Sequence, residues 1–224
     1  MADRCFDPSL FRFLRDLKAH NSAEWFQAHK ERFEAEVRAP LLGFIMAFAE
    51  PLAGISRQFE ANPARSGGSM FRINRDTRFA LDKSPYKTNV GAQFRHRACP
   101  KDVHSPGFYL HLEPGGCFAS AGIWHPDKDT LQKVRERILA HPRSWTGLAA
   151  KGIQVEGDTL VRVPQGFDPK HPLAEDLKLK DFYSGTPLSE AQVCAPGFLA
   201  EFTGICREKA ALVKFLGAAL DLPW

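Results

Sequence analysis

The chain has 224 residues, 44% of them hydrophobic and 25% charged, with a net charge of +4 and a pI near 8.8. That balance fits a soluble globular protein of one large or two small domains, and eighteen Phe residues point to a core rich in large rings. It excludes a disordered chain, and so small a basic excess argues against a dedicated nucleic-acid coat protein.

The first sixty residues carry a helical period. Leu10, Phe13, Leu14 and Leu17 fall on one stripe of a short helix. Asn21 or Ser22 then caps a second helix, with Glu24 in its first turn and Trp25, His29, Phe33 and Val37 recurring every four residues. Pro40 suits the first turn of a third helix, which Pro51 should kink or end. Residues Asn62 to Ser69 form a break, after which the period becomes alternating. Ser69 to Asn74, Asn89 to His96, Phe108 to Glu113 and Cys117 to Trp124 read as short strands, the last two joined as a hairpin through Pro114-Gly115-Gly116. Asp127 caps another helix, which Pro142 ends; Ile153 to Val155 and Leu160 to Val163 suggest a second small hairpin. A long helix closes the chain over Phe198 to Leu220. Helices, then strands, then helices describe an α+β fold with a mainly antiparallel sheet. No linker divides it, so a single domain over 1–224 is expected, helical over about 8–60 and sheet-containing over about 69–224.

The densest charge lies between Arg72 and Lys87. Arg72, Arg75, Arg78, Lys83 and Lys87 face only Asp76 and Asp82 there, so the run holds most of the basic excess of the chain. Phe71 and Ile73 are expected to point inward, and Arg72 and Asn74 outward or into a cleft. Beyond Asp76 the alternation fails, and Ser84-Pro85 disfavours a helix. The run therefore reads as a long loop between strands, anchored by Phe79, Pro85 and Tyr86. Its guanidinium forks suit a phosphate or carboxylate, with Lys87, Thr88 and Ser84 as further donors. The competing reading is a structural loop in which Asp76 and Asp82 pair with Arg78 and Lys83.

A second candidate lies on the strand Phe108 to Glu113. Tyr109, His111 and Glu113 share one face, and a His beside a Glu can act as general acid or base. The plainer alternative is a solvated sheet face, or a buried His meeting a backbone partner.

Other chemistries find little support. Cys5, Cys99, Cys117, Cys194 and Cys206 are scattered and odd in number, without a CxxC pair, which suggests reduced thiols in the cytoplasm. The eight histidines show no metal-ligand spacing, so no metal is expected. The phosphate-loop, dinucleotide and serine-elbow motifs are missing, and no cofactor is expected. The start of the chain lacks the apolar run of a signal peptide, and no stretch suits a membrane span. The Trp and Tyr residues do not alternate with cations as a single-strand binding platform would.

Five ordered strings carry a resemblance: FLRDLKAHNSAEWFQAHKERFEAEVRAP, FRINRDTRFALDKSPYKTNVGAQF, FYLHLEPGG, AGIWHP and HPLAEDLKLKDFY. Together they resemble a widespread bacterial family of conserved hypothetical proteins, domain of unknown function 2461, over about Phe11 to Leu220. The chain departs from the family pattern at His20-Asn21, usually Asn-Asn, and at Ala80-Leu81, usually Ser-Lys. The second departure removes a positive charge from the basic loop. The resemblance implies a single α+β domain in which RDTRF and DKSPYKT form the characteristic loop. It brings no activity and no catalytic residues with it.

The functional expectation is a small anionic ligand bound by Arg72, Arg75, Arg78, Lys83 and Lys87, with His111 and Glu113 as acid and base if the protein is an enzyme. The alternatives are a non-catalytic module contacting nucleic-acid phosphates through the same loop, and an interaction protein whose loop is structural. No membrane partner is expected.

Overall fold

The computed structural model describes residues 4–78 and 80–224. The chain begins with α1 (Ser9–Ala19), which buries Leu10, Phe11, Phe13, Leu14 and Leu17. Ser22 caps α2 (Ala23–Ala28) by accepting from the Trp25 amide at 3.2 Å. After a break at His29 the helix resumes as α3 (Lys30–Arg32), widens into a π-helical stretch (Phe33–Arg38) and continues as α4 (Ala39–Ala53). The sequence explains the widening. A stripe repeating every four residues drifts around an ordinary helix of about 3.6 residues per turn. The break and the wider turns keep Phe33, Val37 and Leu41 on the buried side. Pro40 therefore sits within a continuing helix rather than starting a separate one, and Pro51 stands two residues before the end of α4.

The sheet has five antiparallel strands in the order of the chain: β1 (Phe59–Glu60), β2 (Val90–His96), β3 (Gly107–Leu112), β4 (Cys117–Ile123) and β5 (Phe182–Leu188). The β3–β4 hairpin is as expected, with His111 opposite Phe118. Two strands escaped the sequence reading, β1 because it is only two residues long, and β5 because Gly185 and Pro187 disguise its alternation. Ser69 to Asn74 is not a strand. It touches β2 through a Met70–Ala92 bridge, then Asn74 bridges to Tyr86 as the basic run folds back on itself.

Between β4 and β5 lie α5 (Lys128–Ala140), α6 (Pro142–Ala150) and α7 (Ala174–Leu177). Asp127 caps α5 as expected, while Pro142 both follows the end of α5 and supplies the first turn of α6. The second hairpin does not form. Glu156 pairs with Tyr183 and Thr159 with Leu179, because the β5 region offers those segments a sheet edge. After the short α8 (Glu190–Val193), α9 (Phe198–Ala219) crosses the inner face of the sheet.

Alternation along β3 and β4 gives the sheet two unlike faces. Phe108, Leu110, Leu112, Ala119, Ala121 and Ile123 are buried beneath the helices. Phe48, Phe94 and Phe202 meet there edge to face at 4.6 and 4.9 Å, and Phe44 joins Phe202 at 5.4 Å. Such ring pairs add about 0.5–1.5 kcal/mol each beyond the area they bury. No helix among the described residues is long and apolar enough to cross a membrane. Among the described residues no helix covers the groove on the opposite face of the sheet, and that face forms the candidate site.

Candidate functional site

A groove of about 480 Å³ runs along the outer face of β3 and β4, within the range usual for small-molecule sites. Its floor comes from residues two apart: Gly107, Tyr109 and His111 on β3, and Phe118, Ser120, Gly122 and Trp124 along and just beyond β4. The register sets Gly107 opposite Gly122 and Tyr109 opposite Ser120. Phe71 and Lys87 close one side, and Tyr183 of β5 lies beside Gly122 on the other.

A hydrogen-bonded chain runs along one strand face. Tyr109 Oη lies 2.9 Å from His111 Nδ1, and His111 Nε2 lies 3.2 Å from Glu113 Oε2. Thr88 Oγ1 donates to the other carboxylate oxygen at 3.3 Å. An ionised carboxylate only accepts, so Nε2 carries the imidazole proton and Nδ1 accepts from the Tyr109 hydroxyl. The remaining lone pairs of Tyr109 Oη are left for other partners. Gly91 makes room for this arrangement, because a Cβ there would stand 2.5 Å from Tyr109 Oη. The His111 ring stacks on Phe118 at 4.6 Å. Burial lowers the pKa of His111, against the pull of Glu113, and nearby Lys87 lowers it further. Burial, helped by Glu113, pushes Tyr109 up to about 12.

The basic run divides into a neck and a tip. At the neck the Lys87 amide donates to Ile73 O at 2.8 Å and the Arg75 amide to Pro85 O at 2.9 Å. Tyr86 anchors it: the ring stacks on Phe26 at 4.1 Å, and the Asn21 amide side chain binds both its carbonyl and its N–H. Pro85 is half-buried, and the third expected anchor, Phe79, lies outside the described residues. At the tip the loop's own aspartates answer two of its arginines. Arg78 grips Asp76 with bonds of 2.9 and 2.6 Å, and Arg75 pairs with Asp82, which Ser84 also contacts. Lys83 Nζ donates to Thr77 O at 2.9 Å. Arg72 is exposed.

Lys87 differs from the others. Its ammonium lies over the Phe71 ring at 5.5 Å inside the groove, with no carboxylate within ion-pair distance among the described residues. Burial, and then repulsion from Arg72, lower its pKa. Phe71, expected to point inward with Ile73, is half-buried on the groove side; Ile73 is buried, and Arg72 and Asn74 are exposed as expected.

At the far end Trp124 is 60% exposed, with its ring 4.0 Å from that of His125. His125 has a left-handed backbone (φ 50°), held by its amide donating to buried Asp181 at 2.7 Å. Asp181 also accepts from the Asp158 amide at 3.2 Å, so one carboxylate ties three segments behind the groove. Among the described residues no three of His, Cys, Asp and Glu gather as a metal site.

The fold thus brings Lys87 and His111 to one groove, with Glu113 bonded to His111 beside it, and leaves Arg75, Arg78 and Lys83 engaged within the loop tip. Sequence reasoning missed the rings of Phe71, Phe118, Trp124 and Tyr183 as site residues. A signal existed for two of them: Phe118 and Trp124 are large apolar residues on a strand face expected to meet water. The model of a family described as conserved hypothetical protein (DUF2461) matches residues 9–215. No curated protein and no solved structure matches the chain.

Proposed function

Because the chain belongs to the DUF2461 family of conserved hypothetical proteins, a description that names no activity, we propose from the groove itself that the protein binds a small ligand bearing a phosphate or carboxylate. Lys87 takes the anionic group and Arg72 supplies a second positive charge beside it. The observation that carries this reading is the Lys87 ammonium, partly stripped of water and with an aromatic face where a carboxylate would be expected. Such a charge costs stability that an incoming anion offsets. Arg75, Arg78 and Lys83 shape the loop and contribute to the field around it.

The Tyr109–His111–Glu113 chain supports a proton-transfer role in the same groove. A proton taken up by Tyr109 Oη from a bound ligand displaces the phenol proton onto His111 Nδ1, and Glu113 holds the imidazolium that forms. Lys87 opposes that imidazolium while its own charge is uncompensated. A bound anion screens Lys87 and makes His111 a better base, so ligand binding and relay strength are coupled.

Thermal denaturation with inorganic phosphate, pyrophosphate and small carboxylates tests the binding. At a hundred times its dissociation constant, a true ligand stabilises by about 2.7 kcal/mol. The stabilisation should vanish in Lys87→Met and persist in Arg78→Ala, and free Lys87→Met should be at least as stable as the wild type. No shift with any of these anions, or an undiminished shift in Lys87→Met, refutes the reading. One observation favours a non-catalytic nucleic-acid module instead: the groove is an open sheet face edged by rings. Binding of single strands that weakens steeply with salt would support that alternative.

A further inference from the structure

We infer that the ligand of this groove carries its anionic group on a flat aromatic ring system. The inference rests on the assignment of the anion to Lys87 and adds what the rest of the groove selects. The floor beyond Lys87 is bare. Gly107 and Gly122 face each other across β3 and β4, and Ser120, opposite Tyr109, is the next smallest residue that these two strands put on that face.

Backbone geometry alone requires both glycines. A Cβ on Gly107 would lie 2.6 Å from Phe94 O, and one on Gly122 would lie 2.1 Å from Phe182 O. The consequence for a ligand is a level patch of sheet with no side chain standing on it. Rings border the patch: Tyr109 on one side, Tyr183 on the other, and Trp124 at the end. Trp124 is the telling one. Its ring meets that of His125, and 60% of it remains exposed, although indole gains more than most side chains from being covered.

Polar groups around the patch are few and spaced apart: the Ser120 and Tyr109 hydroxyls, the Gln93 amide, already bonded to Val103 O and Arg95 Nε, and His104 at the rim. His104 Nδ1 is bonded to the Trp124 carbonyl at 2.8 Å, which fixes the approach to the indole. A sugar covers a ring only through one C–H face and an aliphatic chain only along a narrow line, so either reaches less of the level patch and its walls than a planar ring does. A planar ring fills the level patch, stacks against aromatic walls and meets only a few edge donors and acceptors. Its charged substituent then extends toward Lys87 at the other end. The volume of about 480 Å³ accommodates a single such unit.

The test separates ring from charge. Four probes are titrated calorimetrically into the full-length protein: adenosine 5′-monophosphate, phenyl phosphate, ribose 5-phosphate and adenosine. Stacking on a protein ring is worth about 1–3 kcal/mol, so at least one ring-bearing phosphate should bind about tenfold or more tighter than ribose 5-phosphate. That advantage should disappear in Trp124→Leu and in Ser120→Leu, which fills the patch, while the affinity for ribose 5-phosphate stays unchanged. Both positions are on the open face, so folding is not at stake, and circular dichroism checks it. Equal affinities for ring-bearing and ring-free phosphates, or an advantage that survives both substitutions, overturn the inference and leave the anion assignment standing. Adenosine binding as tightly as its phosphate, with no effect of Lys87→Met, overturns the anion assignment and keeps the ring. No binding by any probe overturns both.

Discussion

Lys87 and His111 line the same groove, and burial makes each a poorer proton holder. For Lys87 the second cause is repulsion from Arg72; for His111 the hydrogen bond to Glu113 opposes burial without overcoming it. A lowered histidine pKa has a definite consequence for stability. In the unfolded chain His111 takes up its proton near the ordinary 6.5, whereas the folded protein resists until a lower pH. Between those two values the unfolded state binds more protons. Stability that is fully present above 6.5 is therefore lost as the pH falls through the folded value. Urea unfolding of the wild type and of His111→Gln at about pH 7.5 and about pH 5.5 should show the wild type losing the larger share. Parallel losses would mean that folding does not lower the pKa of His111.

The groove depends on how β4 meets β5. Gly122 has φ 136°, and an added Cβ would lie within 2.6 Å of Tyr183 Cα as well as against Phe182 O. Both contacts are with backbone, so neither can be relieved by rotating a side chain. Gly122→Ala should cost about 3 kcal/mol or more in chemical denaturation, through strain combined with separation of the strands. Tyr183 would move with β5 and the groove would lose that wall. A cost below about 1 kcal/mol would show that the strand pair is more yielding than this geometry implies. Behind the same strand end, buried Asp181 joins the amides of His125 and Asp158. Arg135 plays a similar part for α7, donating to the carbonyls of Leu177 and Leu179 at 2.8 and 2.9 Å.

Two buried clusters share the molecule. One joins the N-terminal helices to β2, β3 and most of β4; the other gathers Ile123, Val134, Ile138, Trp145, Phe182, Phe215 and their neighbours. The long helix α9 serves both, giving Phe198 and Phe202 to the first and Leu212, Phe215 and Leu216 to the second. Trp145 is central to the smaller cluster, packing on Phe215 at 5.3 Å and donating to Asp176 at 2.8 Å. Trp145→Ala should cost about 3–5 kcal/mol. Hydrogen exchange should show protection falling first in α5, α6 and β5, with β2 and β3 keeping theirs until global unfolding. A uniform loss of protection would mean that the two clusters open as one unit.

Local pattern was enough for much of the architecture. The stripe of α1, the Ser22 and Asp127 caps, the β3–β4 hairpin and α9 depend on neighbours within a few residues, so the sequence displays them directly. The positions of His111 and Glu113 on one strand face were legible for the same reason. β5 was not, because its pairing to β4 comes from far along the chain and overrides a run containing Gly185 and Pro187. The misread segment 153–163 shows the same thing, since its partners are at Leu179 and Tyr183 rather than within itself. The sequence by itself determined an α+β chain with a concentrated positive charge and a histidine beside a glutamate. Only the tertiary structure decided that Lys87 leaves the salt-bridged loop to enter the groove, and that rings from Phe71, Phe118, Trp124 and Tyr183 meet there. The reason is physical: ion pairing and ring packing act through space, between residues that chain spacing does not relate.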